Sequence, residues 1–184
     1  MKQYCFIPAV IIAALIFTGC SSLFAPGTVE NGIYTDPYGG FGCRLDENWV
    51  CSDAPESMGL QAVNESIQAG IQIIYTPLRN TERIGYLLRS EEQEVDSILA
   101  RKAQIIQHYE TDGIAVSSLK KEKIDFLGEE HFALHCEAAM DGIPYYILQL
   151  HNFDAGAYGI TLTFFSFHED HTREITDLFF PIGK

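Results

Sequence analysis

Cysteine, histidine and paired acids are the side chains of this 184-residue chain whose types and spacing could carry chemistry. Cys43 and Cys51 stand symmetric about Glu47, and Asp46-Glu47-Asn48 would make a three-residue hairpin loop with Asn48 in the left-handed position. In that register the two thiols face each other across paired strands and can form a disulfide after export. A one-residue slip turns one of them away and leaves two reduced thiols. Cys136 alternates with Phe132, Leu134 and Ala138, which makes it a small buried hydrophobe and a poor nucleophile.

Histidine invites a metal argument. Strand alternation puts His131, Ala133, His135 and Glu137 on one face, and His168 and His171 lie beside a C-terminal helix, so zinc or copper could draw on part of this set. Strand residues four apart are about 13 Å apart, however, so His131 and His135 cannot share one ion on a regular strand. His168 and His171 could meet across a helical turn, but would need an acid such as Glu169 or Asp170. Solvated or edge histidines are the simpler reading, and no metal ligand, cofactor or catalytic residue is assigned. No Gly-x-Ser-x-Gly phrase occurs. The acid pairs Glu91-Glu92, Glu129-Glu130 and Glu169-Asp170 adjoin helix starts or turns, where solvated acids are normal. Gly39-Gly40-Phe41-Gly42 precedes a strand and lacks the lysine and helix of a phosphate loop, which leaves a bulge or close-packed turn.

Cys20 has a different setting. Lys2 precedes an apolar run from Phe6 to Phe17, about twelve residues where about twenty are needed to span a bilayer, and Phe17-Thr18-Gly19-Cys20 follows. This reads as a cleaved export signal over residues 1–19. The pattern resembles the lipobox of bacterial lipoproteins, with Phe17 where that family has Leu, Val or Ile. The resemblance implies a diacylglyceryl group on the Cys20 sulfur and Cys20 as the mature N-terminus. Residues 20–31 would then be a short tether, at most about 35 to 40 Å when extended.

Loss of residues 1–19 removes Lys2 and no acid, which moves the formal charge from −13 to −14. Such a surface disfavours nucleic acid and anionic phospholipid. The remaining 165 or so residues suit one domain, placed at 32–184.

The elements that must hold these residues follow from patterning. Tyr38 to Leu45 and Trp49 to Ser52 read as a hairpin, Pro55 to Ile67 as a weak helix, and Ile71 to Tyr75 as a strand, while Leu78 to Arg89 has no clear assignment. A helix starts after Ser90, which with Gln93 makes a capping box; Val95, Ile98, Leu99, Ile105, Ile106 and Tyr109 share one face, and Gly113 ends it. Lys102 interrupts that face. Its stem would lie on the sheet with its ammonium reaching water, the alternative being a buried lysine that reads a ligand. Strands follow at Ile114–Ile124, His131–Ala138, Pro144–His151 and Tyr158–Phe167, punctuated by Gly128, Asp141-Gly142 and Asp154-Ala155-Gly156. A terminal helix from Asp170 to Phe180 closes the chain. The class is α+β, an antiparallel sheet of about six strands flanked by helices.

Tyr34 through Trp49, Phe126-Leu127-Gly128, Asp141-Gly142 before a tyrosine-bearing strand, and Tyr158 through Glu169-Asp170 together resemble the PsbP-like superfamily. That resemblance implies an α/β/α sandwich working by binding, as an accessory to a larger assembly, and supplies no catalytic residues. The expected function is a lipid-anchored, extracytoplasmic, non-catalytic binding domain for a protein or envelope partner, with Phe41, Tyr75 or Phe153 on its recognition surface or in its core. The alternatives are a small-ligand or solute receptor and, in another class, a small envelope enzyme or metal-binding protein using His135 and Cys136.

Overall fold

The computed structural model describes residues 27–38, 40–52, 58–78, 89–154 and 158–182. The signal segment, Cys20 and the first half of the tether lie outside the described residues, as does most of the unassigned 78–89 stretch.

Eleven strands and three helices are seen among the described residues. Their order is β1 (Thr28–Glu30), β2 (Ile33–Thr35), β3 (Phe41–Arg44), β4 (Trp49–Cys51), β5 (Met58–Asn64), β6 (Ala69–Pro77), α1 (Glu91–Leu99), α2 (Lys102–Thr111), β7 (Ile114–Phe126), β8 (Glu129–Met140), β9 (Ile143–Asp154), β10 (Tyr158–Phe167), α3 (Thr172–Thr176) and β11 (Phe179–Pro181). Seven strands form one antiparallel sheet in the order β4-β5-β6-β10-β9-β8-β7, and β1-β2-β3-β11 form a smaller one. The class is α+β, as the patterning implies.

The meander β7 to β10 is built by its turns. Leu127-Gly128 and Asp141-Gly142 are two-residue loops with both residues at positive φ, the geometry that matches strand twist and places glycine second. Two apolar layers sandwich the large sheet. On one face the small sheet and α3 bury Tyr34, Phe41, Phe126, Phe164 and Phe179 against it. On the other, Val95, Ile98, Ile105 and Tyr109 of the helix pair pack on β7, β8 and β9.

Several expectations change. The segment read as a weak helix contains strand β5, because Met58, Leu60, Ala62 and Asn64 are buried at alternating positions and pair with β6. The last tether residues, Thr28–Glu30, pair with β2. The terminal helix stops at Thr176, and Phe179 instead joins β3. The single long helix is two, broken at Ala100-Arg101. No helix breaker stands there. Lys102 Nζ donates at 2.8 Å to the carbonyl of Leu119 on the edge strand β7, which holds the start of α2 on the sheet.

The hairpin that would bridge Cys43 and Cys51 is not formed. Cys43 on β3 stands opposite Tyr34 and Phe179 in the small sheet, whereas Cys51 on β4 stands opposite Ala62 in the large one. Both are free thiols, Cys43 buried and Cys51 exposed. The Asp46 loop carries the chain from one sheet to the other because each strand finds a distant partner.

Candidate functional site

The helix pair covers only the β7–β9 side of the sheet closely, and a cleft of about 520 Å3 opens between helices and sheet. Strand register builds its floor. Gln61 on β5 stands opposite Gln72 on β6, Gln72 opposite Thr163 on β10, and Thr163 opposite Gln149 on β9. Directly opposed residues share a face, so these four make a polar row spanning about 14 Å at the usual strand spacing. Ile74, Thr161 and His151 form the next row, and Phe165, Ile147, Cys136 and Leu119 form the row on the other side. The roof is Glu94 and Ile98 from α1, Arg101 at the break, and Gln104, Ile105, His108 and Tyr109 from α2. The cleft is therefore apolar at its helix end and uncharged but polar along the sheet.

Two local features shape it. Gly70, opposite Phe165, has no side chain, so the Phe165 ring lies across it; a Cβ there would stand 2.2 Å from the ring. The helix pair is pinned at its start. Ser90 Oγ accepts from the Gln93 N–H at 3.2 Å, and Gln93 Oε1 accepts from the Ser90 N–H at 3.1 Å. Glu91 meets His131 Nδ1 at 2.8 Å, which raises the imidazole pKa, and Lys121 reaches Glu92 and Asp96 at 2.9 and 2.8 Å. The acids of the first turns are thus partners of the sheet as well as of the helix dipole.

Polar groups in the cleft are incompletely used. Gln149 Nε2 donates to Thr163 Oγ1 at 3.1 Å, but Gln72 Nε2 points to the thioether of Met58 at 3.6 Å, a weak acceptor. His151 Nε2 is closed off from water and has no hydrogen-bond partner. Burial lowers the His151 pKa to about 4, opposed by the nearby Glu94 charge, so the ring is neutral at pH 7. Burial also pushes the Cys136 thiol up to about 11, which leaves it protonated and unreactive.

The other candidate residues are placed elsewhere. His135 is buried on the opposite face, with Glu122 Oε2 3.6 Å from Nδ1 and Asp170 Oδ2 3.4 Å from Nε2, while Arg173 reaches Glu122 Oε1 at 3.1 Å. This charged set ties β7, β8 and α3 together. His131 and His135 thus have separate acidic partners. His171 Nδ1 lies 2.9 Å from Glu174, and His168 is exposed at a positive φ. Among the described residues no set of three or more His, Cys, Asp or Glu is placed to hold a metal ion. Phe41 and Tyr75 are fully buried and present no surface, while the Phe153 side chain lies outside the described residues. Cys20 does so too.

Sequence reasoning passed over Gln61, Gln72, Gln149 and His151. Their signal was present as polar residues at alternating positions in otherwise apolar strands.

No family model matches the chain, and no curated protein matches it. Among solved structures, the solution structure of cyanobacterial PsbP (CyanoP) from Synechocystis sp. PCC 6803 is similar at a TM-score of 0.52 and 11% identity, covering 89% of this chain and 98% of that one. A crystal structure from Bacteroides thetaiotaomicron VPI-5482 covers 85% of this chain and 50% of that one at 10% identity and a TM-score of 0.42. The fold is PsbP-like. At 11% identity that likeness is one of architecture alone.

Proposed function

We propose that the chain is a lipid-anchored, extracytoplasmic binding domain without catalytic activity, and that it binds through the cleft between the helix pair and the large sheet. The observation that carries this reading is the cleft itself. A volume of about 520 Å3 lies within the range of small-molecule sites, and its walls pair an apolar end with a row of amides and hydroxyls. Two reactive groups on its sheet side are muted: the Cys136 thiol is protonated, and neutral His151 lacks a hydrogen-bonded acid to orient it as a base. Such walls select and hold. The anchor rests on Cys20 behind its apolar leader, and the PsbP-like fold is compatible with an accessory role near a membrane.

Site-specific photocrosslinkers test the reading in cells. A probe at Gln104, on the cleft roof, is expected to capture an envelope component that a probe at the exposed Asp177, on the opposite layer, does not. Cys20→Ala is expected to move the chain out of the membrane fraction and to weaken that capture. Equal capture from both positions contradicts the cleft, and a membrane-bound Cys20→Ala chain contradicts the anchor.

A further inference from the structure

We propose that the cleft binds an uncharged amphiphile, its apolar body held among Ile98, Ile105 and Ile147 and its hydrogen-bonding end set on the Gln61-Gln72-Thr163-Gln149 row beside His151. This rests on the reading of the cleft as the binding site and names the chemistry of what enters it.

Three observations define that chemistry. First, the cleft holds hydrogen-bonding capacity that the protein leaves unused. His151 Nε2 is shut off from water without a partner, and buried polar atoms in that state are rare. The Gln72 amide spends a hydrogen on the Met58 sulfur at 3.6 Å, where a ligand oxygen is the stronger acceptor. A hydroxyl or amide carbonyl on the ligand gives the Gln72 amide that stronger acceptor, and the neutral His151 ring stands in the next row. Second, the floor carries no charge. The row consists of three glutamines and a threonine, and the carboxylate of Glu94 in the roof is paired with Arg89 at 3.2 Å. An ionised ligand group laid on that floor would lose its water without gaining a counter-charge, at a cost of several kcal/mol. Arg101, in the roof at the break between the helices, is exposed, so its charge is held in water and not on the floor. Third, the row next to the polar one is apolar throughout, from Phe165 across Ile147 and Cys136 to Leu119, and it runs beneath the helices. Polar end and apolar body are therefore side by side in one elongated space.

The test uses the full chain in phosphatidylcholine nanodiscs and two photoactivatable probes with the same diazirine-bearing fourteen-carbon chain, a monoacylglycerol and the free fatty acid. After irradiation, peptide mapping is expected to place the glyceride label on residues 98–109 and 145–151, at least about tenfold above the fatty-acid label there. Ile105→Trp fills the apolar end, and Gln61→Leu removes one polar contact at a partly exposed site. Each is expected to cut labelling at least about fivefold while circular dichroism melting stays cooperative. Should Ile105→Trp fail to fold, Gln61→Leu decides alone. Labelling that is equal for the two probes, stronger for the fatty acid, absent from the cleft or unchanged in Gln61→Leu overturns the proposal. If the glyceride does not label the cleft while a Gln104 crosslinker still captures an envelope component, only the ligand class fails. If the glyceride labels the cleft but Cys20→Ala stays in the membrane, the anchor fails and the ligand assignment stands.

Discussion

His151 and His131 titrate in opposite senses because one is buried without a partner and the other gains a carboxylate. The folded-state pKa of His151 lies near 4, below the usual histidine value, so between about pH 6.5 and 4 the unfolded chain binds the proton first and stability falls with pH. The shift limits that loss to about 3 kcal/mol. His131 is raised by Glu91, so its contribution is fully present below its ordinary value and is lost as pH rises through the folded value. Urea unfolding at several pH values is expected to show His151→Gln losing less stability than wild type on acidification from pH 7 to 5, and His131→Gln losing the extra stabilisation seen at the acid end. Parallel curves for wild type and His151→Gln would contradict the placement of that ring. Alternation around Cys136 was enough to foresee its burial at residue scale. His151 was not legible as a site residue, because its row in the cleft is completed by Ile74, on a strand much earlier in the chain.

At the scale of elements, local chemistry was readable wherever the turn or cap residues decide the outcome. The capping box at Ser90 and the hairpins at Leu127-Gly128 and Asp141-Gly142 form as their sequences imply. Elements decided by distant pairing were misread: β3 and β4 look like one hairpin but take partners from β11 and β5, and β5, read as part of a weak helix from Pro55 to Ile67, lies in the sheet beside β6. Two substitutions probe the elements that frame the cleft. Ser90→Ala removes the hydroxyl half of the capping box, leaving the residue 90 N–H to Gln93 Oε1, and is expected to cost about 1 kcal/mol in chemical denaturation, with faster hydrogen exchange confined to the first turn of α1. Gly70→Ala forces the Phe165 ring off β6 and is expected to cost about 1 to 3 kcal/mol, read as a lower melting temperature. A Gly70→Ala chain as stable as wild type would mean the ring is not seated there.

The whole molecule is a three-layer arrangement in which one side of the large sheet is sealed by the small sheet and the other is only partly roofed. A net negative charge and an α+β order could be read from the chain directly. The cleft could not, since it exists only where register aligns four strands and a helix pair stops short of covering them. Its uncharged floor within a chain of net charge −13 is the feature from which the proposed role follows. The most direct measurement is extraction and mass spectrometry of whatever co-purifies with the full chain, wild type beside Ile105→Trp. The account predicts an uncharged amphiphile at close to one per wild-type chain and a severalfold loss in the variant. The same extract from both proteins, or one containing only charged lipids, would contradict it.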